Sequence, residues 1–343
     1  MSISIKHLNA DTSFLLELFP THPSETSSRS AQGFSILIDP WLDGPSTVLH
    51  PKFANITHKF PSCISSLREI PEPDLVVISQ SQPDHCHRKT LCQLPSNSSK
   101  TLILADPGAA RSIKGWKHFA PSCIQSLEKY DRRRPTSVRR IPIPAPSKDG
   151  LAGEVSIALI VKKFDPAGVH SALGITYAPP LSSQEAAIHT KRNQDLPLSP
   201  PPSPGTPFSS DSICPDLKTF SILYSPHGVS YIDIKDYVDI NLRPRGAIPL
   251  DALLHSFSRV HNPWWLGGNL NTGMPGGLEI TRYLHPRVWI SAHDEDKDKK
   301  GISVKKTRVQ QFQAEEIQRQ IDNEAGEHHT EVRVLAIGEA MKL

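Results

Sequence analysis

Leu75-Val76-Val77-Ile78-Ser79-Gln80-Ser81-Gln82-Pro83-Asp84-His85-Cys86-His87 reads as a short strand that runs straight into a loop of metal-capable side chains. Four consecutive apolar residues, three of them β-branched, suit a strand buried on both faces better than an amphipathic helix. The chemistry then falls at the carboxyl end of the strand, where loops of layered α/β proteins are exposed yet anchored by a rigid sheet. Asp84, His85 and His87 lie within four residues, and two imidazoles with a carboxylate offer nitrogen and oxygen donors to a divalent metal. The same residues can equally hydrogen-bond a loop, and His87 can be a ligand or a loop cap. Cys86, between two histidines, points the other way if the segment is extended, which gives it a packing role.

Working outward, other strand patterns also end in polar residues. Phe34–Ile38 ends in Asp39-Pro40-Trp41-Leu42-Asp43-Gly44, where the proline stops the ladder and Asp39 can simply form the turn. Val155–Val161 is followed by His170, Thr219–Tyr224 by Ser225-Pro226-His227-Gly228, and Arg287–Ser291 by Ala292-His293. Ala252 to Phe257 leads into a glycine-rich loop holding Trp264 and Trp265, which can wall an apolar pocket or plug a core edge. Val309 to Asn323 has the period of an amphipathic helix, and Val332 to Ile337 that of a closing strand. His189, His255 and His261 carry no pattern beyond surface or structural use.

The 343 residues can bury a full core. Lys+Arg 38 against Asp+Glu 35 gives a net charge of +3, a mildly basic balance that does not point to nucleic acid. There is no apolar run of membrane-spanning length and no secretory h-region, and the five cysteines never form CxxC. The expectation is a reducing, cytoplasmic setting with free thiols. Pro and Ser crowd residues 193–215, which read as a disordered insertion within one domain spanning 1–343. The sequence leaves the oligomeric state open.

The ordered series of strand-end motifs resembles the metallo-β-lactamase superfamily over nearly the whole chain. Ser79 through His85 is similar to its strand and HxHxDH loop, with Gln80 and Gln82 in place of the two leading histidines. The Asp39 turn is similar to the first motif of the lactonase-like and phospholipase-like branch, in which this Asp buttresses the metal loop, and the Val334–Glu339 ending is similar to that branch's terminal strand. The resemblance implies an α/β four-layer αββα sandwich with Asp84, His85, His170, His227 and His293 converging on one edge. It also implies an altered first metal site, because a neutral amide is a weak donor. His227 stands where the family carries a bridging Asp, which argues against a dinuclear centre. Asp84, His85 and His293 then form a 2-His-1-carboxylate set, with one zinc as the default ion and iron or manganese as alternatives.

The implied activity is mononuclear, metal-dependent hydrolysis of an ester, lactone or phosphodiester of a small molecule. Asp84 and His227 would be catalytic, and Gln80, Gln82, Trp264 and Trp265 would meet the substrate. A non-catalytic binding or scaffolding protein on the same fold is the second reading. Nucleic-acid processing is the third, disfavoured because it commonly uses the dinuclear centre.

Overall fold

The computed structural model describes residues 2–20, 33–186, 218–324 and 329–343; the insertion at 193–215 lies outside them, as do His189 and Cys214. Two seven-stranded sheets form the frame. In the first, the order is Ala340–Lys342, Ser2–His7, Phe14–Phe19, Phe34–Ile38, Leu75–Ile78, Leu102–Ala105 and Ile124–Ser126. In the second it is Glu331–Arg333, Val288–Ser291, Ala252–His255, Phe220–Ser225, Ser171–Ala178, Gly153–Val161 and Val138–Ile143. Pairing is parallel from Phe34–Ile38 to Ile124–Ser126 and from Phe220–Ser225 to Glu331–Arg333.

Side-chain alternation at period two sorts each strand into two cores. Leu75 and Val77 face the second sheet, joining Phe14, Ile36, Ile38, Ile157, Tyr224 and Leu254 in the central core. Val76 and Ile78 face outward beneath the Pro107–Gly115 helix, with Ile113 and Leu91. The second sheet is covered on its outer face by helices Tyr231–Tyr237, Gly273–Leu284 and Ala314–Glu324, through Ile234, Ile280 and Ile317. The layers are therefore helix, sheet, sheet, helix, as expected.

Two boundaries depart from the sequence reading. Val309 lies in a three-residue strand, Arg308–Gln310, and the helix begins only at Ala314. The Val332–Ile337 strand shortens to Glu331–Arg333, after which the chain turns so that Ala340–Lys342 can pair with Ser4–Lys6 at the edge of the other sheet. Val334 is left exposed by that turn while Leu335 enters the central core.

Gly174 marks a close approach. A Cβ there would lie 2.4 Å from the Tyr237 ring, and Tyr237 is itself buried edge-on against Tyr130 at 5.4 Å. Gly174→Ala is expected to destabilise the fold by about 1–3 kcal/mol through overpacking, read as a lower urea midpoint at unchanged slope.

Candidate metal centre

Three strands, one from the first sheet and two from the second, deliver the central side chains: His85 follows Leu75–Ile78, His227 follows Phe220–Ser225, and His293 follows Val288–Ser291. One nitrogen from each lies within 4.8 Å of the others, and the ring centroids are 4.6 to 5.2 Å apart. His293 reaches this position with a left-handed backbone, φ +67°, fixed by its amide donating to the Asp11 carbonyl at 2.9 Å.

The orientation of each ring is set from behind. His85 Nδ1 donates to Asp39 Oδ2 at 2.7 Å. His227 Nδ1 faces the Asn271 Oδ1 at 2.7 Å and the Leu270 carbonyl at 3.0 Å. His293 Nδ1 lies 3.0 Å from Asp11 Oδ1. With all three Nδ1 atoms engaged by acceptors, the Nε2 lone pairs are left for the shared centre, the arrangement that carboxylate-backed metal histidines require.

Asp39 is fully buried at the end of its strand, with φ +42°. It accepts the Ser79 amide at 2.8 Å, the Ser79 hydroxyl at 2.5 Å and the Tyr224 hydroxyl at 2.8 Å in addition to His85. A single carboxylate thus ties the first and second sheets to the loop. Asp11 is likewise buried and accepts both contacts from Lys297 Nζ, at 2.7 and 2.8 Å.

Charge within the cluster is divided unevenly. Burial would lower the pKa of His85, but the Asp39 and Asp84 carboxylates outweigh it and hold the imidazole above its ordinary value. Burial pushes His227 well below the ordinary value, reinforced by His293 and His85. Burial would raise the Asp84 carboxyl, but His85, His293 and Lys297 lower it on balance, so it stays ionised. His85 Nε2 lies 3.1 Å from His227 Nε2 and 3.1 Å from the Gln80 amide nitrogen. These groups meet at a point where one proton or one cation can be shared.

Of the five ligands expected from sequence, the structure gathers His85, His227 and His293. Asp84 flanks them, its backbone carbonyl taking the Thr12 hydroxyl at 3.1 Å, and lies outside the three-nitrogen group. The compact set is therefore three imidazoles with a neighbouring carboxylate, where two imidazoles and a carboxylate were expected. His170 also stands apart from the group. Its Nδ1 is held by Asp165 at 2.8 Å, while its buried Nε2 has no hydrogen-bond partner. The Gln80 Oε1 is a second buried atom with none. Gln82 supplies its backbone carbonyl to the His85 and Cys86 amides. His87 faces the Thr90 hydroxyl at 2.9 Å, which is a loop-holding contact, and Cys86 packs in the outer core with Leu42 and Leu91.

Trp264 and Trp265 are 84% and 54% exposed, so neither plugs a core edge. They sit on the loop whose far end, Leu270 and Asn271, orients His227. A cleft of about 820 Å³ beside Cys86, Trp116 and His118 contains none of the three histidines. His255 is buried, bonded to the Ser256 carbonyl at 2.7 Å, and burial lowers its pKa to about 4; His261 is exposed. Asp11, Lys297, Asn271 and Asp165 were not singled out by sequence as functional. Only Asp165 had a local signal, its five-residue spacing from His170.

A family model described as a beta-lactamase superfamily domain matches residues 27–154, a span that holds Asp39, Gln80, Asp84 and His85. That match is to the amino-terminal part of the chain, a little over a third of its length. Among solved structures the whole chain is similar in fold to an isothiocyanate hydrolase from Delia radicum gut bacteria, at 14% identity and TM-score 0.51, over 99% of this chain and 98% of that one. It is similar to the CmlA beta-hydroxylase E377D mutant at 12% identity and TM-score 0.51, over 99% of this chain but 53% of that one. The metallo-beta-lactamase fold protein YhfI from Bacillus subtilis aligns over 99% of both chains at 7% identity and TM-score 0.46. No curated protein matches significantly. At these identities the likeness to solved structures is one of fold alone.

Proposed function

We propose that the chain is a mononuclear metal-dependent hydrolase, with His85, His227 and His293 as ligands and an ester, lactone or phosphodiester of a small molecule as substrate. The observation that carries this reading is the pinning of all three Nδ1 atoms by Asp39, Asn271 with Leu270, and Asp11. Such an arrangement costs two buried carboxylates and is wasted unless the Nε2 atoms have a common partner. Three imidazoles with a position left open suit zinc, and the Asp84 carboxylate alongside also admits iron or manganese. When bound, the ion supplies Lewis acidity and renders water nucleophilic at neutral pH.

The chain's own residues do the rest. Asp39 and Asp11 hold a proton on the far nitrogen of their histidines, so that the near nitrogen is the one offered to the ion. Asp84, held ionised by its cationic neighbours, sets a negative charge beside the centre and can take up a proton released there. His170 Nε2 and Gln80 Oε1 are buried and without partners, and such atoms would be candidates to meet substrate. Trp264 and Trp265 lie at the outer end of the loop that orients His227 and offer apolar area to substrate.

One observation favours the second reading, a non-catalytic binding protein: the 3.1 Å approach of His85 to His227 can be closed by a shared proton without any cation. Metal counting on dialysed protein separates the two. One equivalent per chain, together with turnover in a panel of esters, lactones and phosphodiesters, is expected. Two equivalents would overturn the mononuclear assignment, and none under any loading condition would leave only the binding protein.

A further inference from the structure

Large apolar side chains are exposed on three segments that the fold ties together. Phe164 is 80% exposed on the loop leading to His170, Trp264 and Trp265 are 84% and 54% exposed on the loop leading to His227, and Val309 is 47% exposed on the edge strand Arg308–Gln310. The first two loops touch, since a Cβ on Gly267 would lie 3.5 Å from the Cβ of Ala167. The second and third are joined by strand pairing of Arg259–His261 with Arg308–Gln310 and by the Thr307 hydroxyl donating to Asn262 at 2.7 Å. Lys306 Nζ sits 4.6 Å over the Trp265 ring.

Charge on these segments is one-sided. Lys162, Lys163, Arg259, Lys305, Lys306 and Arg308 are exposed or half-buried there. The one acidic residue among them, Asp165, is engaged by His170. At the flank, Asp233 is held by the Ser230 hydroxyl at 2.6 Å.

We propose that this rim docks the protein on an anionic lipid surface. Phe164, Trp264 and Trp265 would enter the headgroup region, and the surrounding lysines and arginines would pair with acidic headgroups. Tryptophan suits that position because its ring is apolar and its N–H is not. Basic side chains around a partly inserted apolar patch give the second attraction that stable surface attachment needs. The charge ring selects the partner: a purely apolar protein surface would leave six cations facing nothing of opposite sign. The loops that would touch lipid are the ones that carry His170 and orient His227, so attachment would bring the candidate metal centre to the surface. The inference does not depend on catalysis or on metal.

Flotation of the full chain with vesicles tests it. Vesicles of phosphatidylcholine mixed with phosphatidylserine are expected to carry on the order of tenfold more protein than vesicles of phosphatidylcholine alone, an excess that falls away in about 0.5 M salt. Trp264→Ala combined with Trp265→Ala should abolish flotation with the urea midpoint unchanged, since both side chains are exposed. Lys305→Glu combined with Lys306→Glu should remove the preference for anionic vesicles. Absent or equal flotation on the two vesicle types would overturn the proposal, as would tryptophan variants that float like the parent. It would also be overturned if the tryptophan variants changed the solution mass of the protein instead, because the occupant of the rim would then be a second copy of the chain.

Discussion

Lys297→Met is expected to remove about 3–5 kcal/mol of unfolding free energy, although no strand or helix depends on this residue. Lys297 is 8% exposed and Asp11 is fully buried, and the ammonium contacts both carboxylate oxygens at 2.7 and 2.8 Å. Methionine conserves most of the volume while leaving the Asp11 charge in the interior with only the His293 ring to oppose it. Urea titration of the apo protein measures the loss, and a cost below about 1 kcal/mol would mean that the pair behaves as a solvated one. Combining Lys297→Met with Asp11→Leu should recover most of the stability, because no charge is then stranded. The double variant releases His293 Nδ1, however, so metal affinity should fall by about 10–100-fold even as the fold recovers. Stability and metal binding are thereby pulled in opposite directions by one substitution.

That pair also shows what could and could not be read from sequence. The Leu75–Ile78 strand was legible because its two faces bury in two different cores, which demands an uninterrupted apolar run. His85, His227 and His293 were legible because each sits just beyond such a strand, and the resemblance set those strand ends on one edge. Asp39 as a buttress followed from its place in the first motif. Asp11 and Lys297 are 286 positions apart, and nothing near either predicts that the two meet behind His293. Asn271 lay within a glycine-rich stretch read for its tryptophans. Asp84 entered the expected set through the resemblance, which put His227 in the place of a bridging Asp. The structure instead turns Asp84's backbone toward Thr12 and brings His227 in through the Leu270 and Asn271 contacts. The Tyr231–Tyr237 helix went unread because Tyr231-Ile232-Asp233-Ile234 alternates at period two, whereas the residues it buries, Ile234, Tyr237 and Val238, recur at helical spacing.

His85→Ala should weaken metal binding by more than the ~10–100-fold that losing a supporting hydrogen-bond partner costs, and should change how binding depends on pH. In the apo protein His85 is held above its ordinary pKa by Asp39 and Asp84 against the opposing effect of burial. A cation arriving at Nε2 must displace that proton. Binding near pH 6.5 is therefore expected to release about one proton, and affinity to rise with pH until His85 is neutral in the free protein. Calorimetry in buffers of different ionisation enthalpy counts the proton, and His85→Ala should release fewer. Linkage gives the sign for the apo fold. A histidine whose folded pKa is raised contributes stability that is fully present below pH 6.5 and is lost as pH climbs through the folded value. Apo protein should thus lose this contribution over the same interval in which it gains metal affinity. His227, pushed down by burial, acts in the opposite sense, adding stability above pH 6.5 that is lost on acidification. If proton release were the same in wild type and His85→Ala, the shared proton would have to sit elsewhere than between His85 and His227. The 3.1 Å contact would then no longer support a site closed by a proton in the absence of a cation.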